Sequence, residues 1–219
     1  MSALSEHSIF VSRELQVQQN WPCLQFYLSS VGHDLNLEIQ PRQFAAGFGN
    51  LNYLITFNGR TAVLRRPPMG LLAPGSNDML REGKILRCLS PSFPLAPRCL
   101  FIGDDVKILG NPFLIMDYRP GVVIGSNLPE MWANDGSVTK KLTAHLLEIL
   151  IELHNISPIE IGLSKLGRPE GYLERTANGW FKRAQIMWPV ELPKTAHYIM
   201  SWLEDNKAVS YTHLTLPTN

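Results

Sequence analysis

The stretch LNYLITFNGRTAVLR, residues 51–65, decides the fold of this chain. Two runs rich in strand-forming residues, 51–57 and 61–64, flank the dipeptide Asn58-Gly59. This dipeptide is the strongest short-range hairpin signal, because both central residues of such a turn need a positive φ angle. We therefore predict two antiparallel strands joined by a two-residue turn.

A loop of small residues, 44–50, precedes this hairpin and contains Gly47 and Gly49. It differs from a dinucleotide-binding fingerprint because a strand follows it, and from a Walker A loop because Gly-Lys-Ser/Thr is missing. A glycine loop between antiparallel strands can fold over phosphates and donate backbone N–H groups to them. An ordinary tight turn would explain the same glycines.

A helix is predicted next, from a cap at Ser76 or Asn77 to about Leu89. Glu82 falls on its apolar face, which is formed by Met79, Leu86 and Leu89. An unpaired buried carboxylate costs several kcal/mol, roughly, or becomes protonated. The pattern therefore predicts a cationic partner for Glu82.

Arg65, at the end of the preceding strand, is the nearest candidate partner in sequence order. Arg81 competes for the same role, but its position on the helix directs it away from the apolar face. Kinases pair a strand cation with a helix glutamate to hold nucleotide phosphates. The alternative for Arg65 is a solvent-facing residue at a strand end.

The remaining pattern divides the chain into a mainly-β lobe and a helical lobe, an α+β organisation. We predict strands over 99–102 and 113–116, then helices after a turn at Pro120 and Gly121. The segment from Met116 to Tyr118 is either the end of a buried edge strand or a hinge between lobes, whose main-chain groups would meet an adenine ring. The predicted segments are a lead-in and helix over 1–40, an N-lobe over 41–117, a partial C-lobe over 118–208 and a tail over 209–219.

Composition narrows the classes of function. The 219 residues carry a net charge of +1 and three cysteines, and 45% of them are hydrophobic. The near-neutral charge does not indicate a nucleic-acid-binding surface, and no apolar run is long enough to predict a membrane span. The spacing of the histidines and cysteines does not predict a metal site. We expect a cytoplasmic protein without nucleic-acid or membrane partners.

These features together resemble the aminoglycoside phosphotransferase-like family of small-molecule kinases, which has a protein-kinase-like fold. The Arg65-Arg66-Pro67-Pro68 segment is similar to the subgroup of kinase domains fused to acyl-CoA dehydrogenases. The resemblance extends from about residue 21 to about residue 207 and is clearest in the stretches 47–53, 62–68, 79–82, 109–118, 153–154, 167–169 and 172–175.

The resemblance implies an ATP-dependent transfer of phosphate, with Mg²⁺, to a hydroxyl group of a small molecule such as a hydroxyacyl-CoA. It implies that Arg65 and Glu82 hold the phosphates. It also implies that the glycine loop contributes Gly47, Gly49 and Asn50, and that the hinge contributes Met116, Asp117 and Tyr118.

The His-Gly-Asp catalytic loop and the downstream magnesium-binding Asp of the family do not occur in this sequence. We therefore expect no catalytic or metal-binding residue in the chain, and an inactive N-terminal fragment whose residues 209–219 are not native. Two alternatives stay open: a nucleotide-binding protein without catalysis, like a pseudokinase, and an α+β domain that is not a kinase.

Overall fold

The computed structural model describes residues 9–47, 49–73, 75–124, 128–129, 132, 135–167, 171–188 and 190–206. It divides into two compact units, Met1–Met69 with Asn77–Leu163 and Gly70–Ser76 with Ser164–Asn219. The predictions for Phe48 and for the tail over 209–219 fall outside the described residues. The elements are α1 (Trp21–Ser30), β1 (Leu35–Asn36), β2 (Arg42–Gln43), β3 (Leu51–Phe57), β4 (Arg60–Arg66), α2 (Met79–Leu89), β5 (Cys99–Gly103), α3 (Val106–Leu109), β6 (Phe113–Asp117), α4 (Gly136–His154), α5 (Tyr172–Met187) and α6 (Lys194–Asp205).

The predicted hairpin is confirmed, with β3 and β4 paired antiparallel so that Phe57 faces Arg60. The turn residues have φ angles of 48° at Asn58 and 71° at Gly59. The two left-handed positions match the twist of the flanking strands. This turn sets the register of the whole pair, including the residues at its far end.

A single antiparallel sheet organises the first unit, with strand order β1-β3-β4-β6-β5 and β2 paired to the edge of β3. Successive residues of a strand point to opposite faces. Leu64 and Ile115 therefore lie in one core cluster, beside Leu24 and Leu28 of α1. Val63 and Met116 lie in a second cluster, beside Met79 of α2. Every second side chain of β4 and β6 thus points to the face of the sheet that lies toward α2.

Helix α1 begins after a side-chain cap. The Asn20 side chain caps it by accepting from the main-chain N–H of Cys23 at 3.1 Å, and Pro22 lies in the first turn.

Helix α2 has a different cap from the predicted one. The cap is Asp78, whose side chain accepts from the first-turn N–H of Arg81 at 2.9 Å. Neither Ser76 nor Asn77 fills this position. A carboxylate at this position also interacts favourably with the helix dipole.

The position of β6 corrects the sequence interpretation. Strand β6 is an interior strand between β4 and β5, and the edge-strand alternative for residues 113–118 is therefore wrong. In the connection between β5 and β6, Asp105 caps the short helix α3 by accepting from the N–H of Lys107. Strand β1, which the sequence does not predict, extends the sheet beyond β3.

Helices follow the turn at Pro120 and Gly121, as predicted. Helix α4 leaves Leu146 and Leu150 exposed. In the second unit, α5 and α6 line an apolar cavity of about 700 Å³ that includes Trp180 and Met200. The α+β class and the antiparallel N-terminal sheet are confirmed. Within the described part of the chain, no helix has the length and apolarity needed to cross a bilayer.

Candidate functional site

Arg65 lies at the centre of a polar network on the α2 face of the sheet. Its Nη1 donates to Oε1 of Glu82, and its Nε donates to Oδ1 of Asn52 at 2.8 Å. The side chains of Arg65 and Glu82 are 30% and 28% exposed. Both predicted partners are thus brought together, and the contact excludes a purely solvent-facing Arg65.

The position of this ion pair follows from local structure. Arg65 is two residues from Val63 on β4, so both side chains point toward α2. Glu82 lies one turn beyond the Asp78 cap of α2, on the face that also buries Met79. Asn52 is the direct partner of Arg65 across the hairpin. The guanidinium is therefore oriented by two different elements.

A cavity of about 650 Å³ opens beside Arg65. Phe44, Val63, Met116 and Val122 provide apolar walls, and Arg65 is among the charged residues that line it. A concave, mainly apolar site with a few placed polar groups is typical of small-molecule binding. The Arg65 side of the ion pair therefore lies at the wall of a cavity that can hold a small molecule.

The glycine loop lies next to this cavity. Ala46 and Asn52, on either side of the loop, line the cavity. Gly47 lies over Asn52, since a Cβ atom on Gly47 would be 3.6 Å from Asn52 Nδ2. Gly49 is exposed and Asn50 half-buried. The loop is thus placed beside the cavity by the β3 residue that also orients Arg65.

The predicted hinge residues form another wall. Met116, Asp117 and Tyr118 all line the cavity, and the Tyr118 ring stacks on Phe44 with centroids 6.4 Å apart and planes at 17°. The main-chain N–H of Asp117 donates to the carbonyl of Arg98 at 3.0 Å. This N–H is therefore already used within the sheet and does not face a ligand.

The chain is similar to known proteins in sequence and in fold. The family described as "Phosphotransferase enzyme family" matches residues 40–214, most of the chain. The chain belongs to this family. The protein-kinase-like fold is that of a solved Ralstonia eutropha structure assigned as an aminoglycoside phosphotransferase, with a TM-score of 0.57 at 20% identity over 86% of this chain and 54% of that chain.

The curated relatives of this chain are much longer proteins. Acyl-CoA dehydrogenase family member 10 of Mus musculus is 27% identical over 161 residues, which cover 74% of this chain and 15% of the relative. Acyl-CoA dehydrogenase family member 11 of Gallus gallus is 28% identical over 167 residues, 75% of this chain and 21% of the relative. The chain thus spans about a fifth or less of the length of these relatives, and it matches the subgroup that the Arg-Arg-Pro-Pro segment indicates.

Asp117 has a structural role that the sequence does not reveal. Its carboxylate accepts two hydrogen bonds from the Arg98 guanidinium, at 2.6 and 3.2 Å. These hydrogen bonds hold the pKa of Asp117 below its ordinary value of 3.8, and partial burial opposes them only in part. The pair joins the start of β5 to the end of β6.

The stability of the protein should therefore depend on Asp117 at moderate but not at low pH. A carboxylate whose pKa is lowered by folding stabilises the folded state above its ordinary pKa of 3.8, and this contribution disappears as the pH falls through the lower folded value. We expect Asp117→Asn to lower the free energy of unfolding near pH 6, and the difference from the parent to shrink below about pH 4. Urea unfolding at several pH values measures it, with the exposed Asp104→Asn as control. A difference that stays constant down to about pH 2 would contradict the assignment.

The sequence analysis missed two residues of the site, Asn52 and Asn77. Asn52 could have been found, because the two-residue turn at Asn58-Gly59 determines that it faces Arg65. No pattern in the sequence indicated that Asn77 contacts the glycine loop. Its side chain reaches the glycine loop, 27 residues earlier, where it donates to Oδ1 of Asn50 at 2.7 Å.

The described residues contain no preformed cluster of metal ligands. No group of three or more His, Cys, Asp or Glu side chains is placed among them to hold a metal ion.

Proposed function

We propose that this chain binds ATP in the cavity beside Arg65 and belongs to an enzyme that transfers the γ-phosphate to a hydroxyl group of a small molecule. The observation that carries the proposal is the Arg65–Glu82 ion pair, whose Arg65 side lies at the wall of that cavity. A cation held by a helix glutamate is the arrangement by which kinases orient nucleotide phosphates.

The residues of the cavity fit the chemistry of ATP. Its volume of about 650 Å³ suits a ligand of nucleotide size. Phe44, Val63 and Met116 offer apolar contact for an adenine ring. The guanidinium of Arg65 has five N–H groups, of which the contacts with Asn52 and Glu82 use one on Nε and one on Nη1. The other donors are then available for phosphate oxygens.

The hinge would contact adenine through a group other than the Asp117 N–H, because that N–H donates to Arg98. The Tyr118 N–H and the neighbouring carbonyls are the candidates, since Tyr118 also lines the cavity. The glycine loop, through Gly47, Gly49 and Asn50, would cover the phosphates. In this proposal the eight sequence-predicted residues thus act as two groups, one at the adenine and one at the phosphates.

In the proposed reaction, the acceptor oxygen forms a bond to the γ-phosphorus while the bond to the β,γ-bridging oxygen breaks and ADP leaves. The family's His-Gly-Asp loop, which is absent from this sequence, would supply the group that receives the hydroxyl proton. We therefore propose that the 219-residue chain binds ATP without transferring phosphate, and that catalysis and Mg²⁺ binding need residues that this chain does not contain.

A hydroxyacyl-CoA is the acceptor class that we propose. Its support is that the relatives are named as acyl-CoA dehydrogenase family members. An aminoglycoside is the acceptor suggested by the assignment of the Ralstonia eutropha protein. We also propose a cytoplasmic location, since Cys23, Cys88 and Cys99 are all free thiols, which suits a reducing compartment.

Isothermal titration calorimetry of the chain with ATP, ADP and adenosine tests the nucleotide site. We expect ATP to bind more tightly than adenosine, because Arg65 contacts only the phosphates. Equal affinity for ATP and adenosine, or no binding of either, would contradict the proposal. A transfer assay with a hydroxyacyl-CoA and an aminoglycoside, on the chain and on a longer protein that includes a His-Gly-Asp loop, then tests the acceptor and the dependence on that loop.

A further inference from the structure

Asn77 makes two contacts with the glycine loop from the residue that precedes the α2 cap. Its Nδ2 donates to the main-chain carbonyl of Gly49 and to Oδ1 of Asn50, the latter at 2.7 Å. The backbone of Asn77 has a φ angle of 53°, in the left-handed region that Asn and Gly tolerate best. The side chain is thus directed to the loop by an unusual backbone conformation.

The attachment point of this side chain is well fixed. Asp78, the next residue, caps α2 by accepting from the N–H of Arg81. Glu82, which holds Arg65, lies on the first turns of the same helix. The helix that orients the guanidinium therefore also holds one end of the glycine loop.

The other end of the loop is placed by Asn52. This residue lies beneath Gly47 and accepts the hydrogen bond from Arg65 Nε. The loop therefore lies between Asn52 of β3, which contacts Arg65, and Asn77 at the start of α2. A shift of the 49–50 peptide would have to break the hydrogen bonds from Asn77.

The hydrogen bond to Gly49 also determines how one peptide group is oriented. In a planar trans peptide, the carbonyl of one residue and the N–H of the next point in opposite directions. Because the Gly49 carbonyl points to Asn77, the Asn50 N–H points to the opposite side of the loop. A peptide group next to a glycine can rotate more freely than a peptide group between two other residues. Asn77 selects one of the possible orientations.

We propose that Asn77 is a positioning residue that holds the 49–50 peptide in the orientation in which its N–H receives the phosphates of the nucleotide. The inference rests on the proposed function, in which ATP binds beside Arg65. Asn77 itself does not line the cavity described above, so it acts through the loop.

Asn77→Gly is the sharpest test, because glycine tolerates the left-handed backbone and removes only the amide. We expect it to weaken ATP binding about fivefold, the effect of one lost hydrogen bond, and to leave adenosine binding unchanged. Asn77→Asp keeps the shape but places a carboxylate against two acceptor oxygens, and about a tenfold loss is expected. Amide hydrogen exchange over residues 47–52 should become faster in both variants without nucleotide.

Asn58→Gly provides a matched control. Asn58 also has a left-handed backbone and also uses its side chain, accepting from the N–H of Asp34, but it lies at the far end of β3. This variant should leave ATP affinity and exchange over 47–52 as in the parent. An Asn77→Gly chain with parental ATP affinity, or one that loses ATP and adenosine equally, would overturn the inference.

The exchange measurement separates this inference from the proposed function. If the parent chain does not bind ATP, the proposed function is wrong, and the phosphate-positioning role is wrong with it. A different outcome would show that only the role of Asn77 is wrong. In that outcome the parent binds ATP and an Arg65 substitution weakens ATP binding, but Asn77→Gly changes neither ATP affinity nor the amide exchange over 47–52.

Discussion

Replacement of Arg65 by methionine is expected to weaken ATP binding by about 10- to 100-fold. Hydrogen bonds from a charged group contribute about 1.5–3 kcal/mol each, and methionine keeps the apolar stem while removing all of them. Adenosine binding should remain near the parental value, because the walls formed by Val63 and Met116 are unchanged. Calorimetric titration with both ligands measures the difference.

Arg65→Lys should restore only part of the affinity. The guanidinium reaches Asn52 and Glu82 through different nitrogens, whereas an ammonium is a single point of charge. Arg60→Met, at the exposed other end of β4, is the matched control and should bind ATP like the parent. Equal losses of ATP affinity in Arg60→Met and Arg65→Met would show that general charge, and not the ion pair, attracts the nucleotide.

Replacement of Phe113 by alanine should destabilise the first unit by about 3–5 kcal/mol. Phe113 is fully buried at the start of β6, and its ring packs near that of Phe101, with centroids 6.1 Å apart. It also fills the space above Gly103 on β5, where an added Cβ atom would collide with the ring. Truncation leaves a cavity that a close-packed sheet cannot refill.

Urea unfolding followed by tryptophan fluorescence measures this loss. Phe26→Ala on α1 is the control, since the Phe26 side chain is 79% exposed and buries little apolar surface. We expect its free energy of unfolding to change by about 0.5 kcal/mol or less. A Phe113→Ala protein as stable as Phe26→Ala would mean that the β5–β6 region is not part of the cooperative core.

The hairpin was predictable in detail because its information is local. The Asn58-Gly59 turn sets the pairing of β3 and β4, and the period of two then assigns Val63 and Arg65 to one face. The pairing of Arg65 with Glu82 was predictable for a different reason. A carboxylate on an apolar helix face needs a cation, and few are nearby in sequence.

The structural roles of Asp117 and Asn77 were not predictable in the same way. Asp117 was assigned to the hinge, yet its carboxylate and N–H are both used by Arg98, which lies on the neighbouring β5 side of the sheet. Asn77 was considered as a helix cap, a role that Asp78 fills. In both cases several polar residues of similar type compete locally, and propensity does not distinguish among them.

By itself, the sequence determined the α+β class, the hairpin register and the membership of Arg65 and Glu82 in one polar pair. These depend on turn chemistry, on residue period and on the cost of burying a charge, all of which act over short stretches of chain. Only the tertiary structure decided that β6 lies between β4 and β5 and that Asn77 reaches the glycine loop. Strand order and contacts between distant residues depend on how whole elements pack, and many arrangements share the same local preferences.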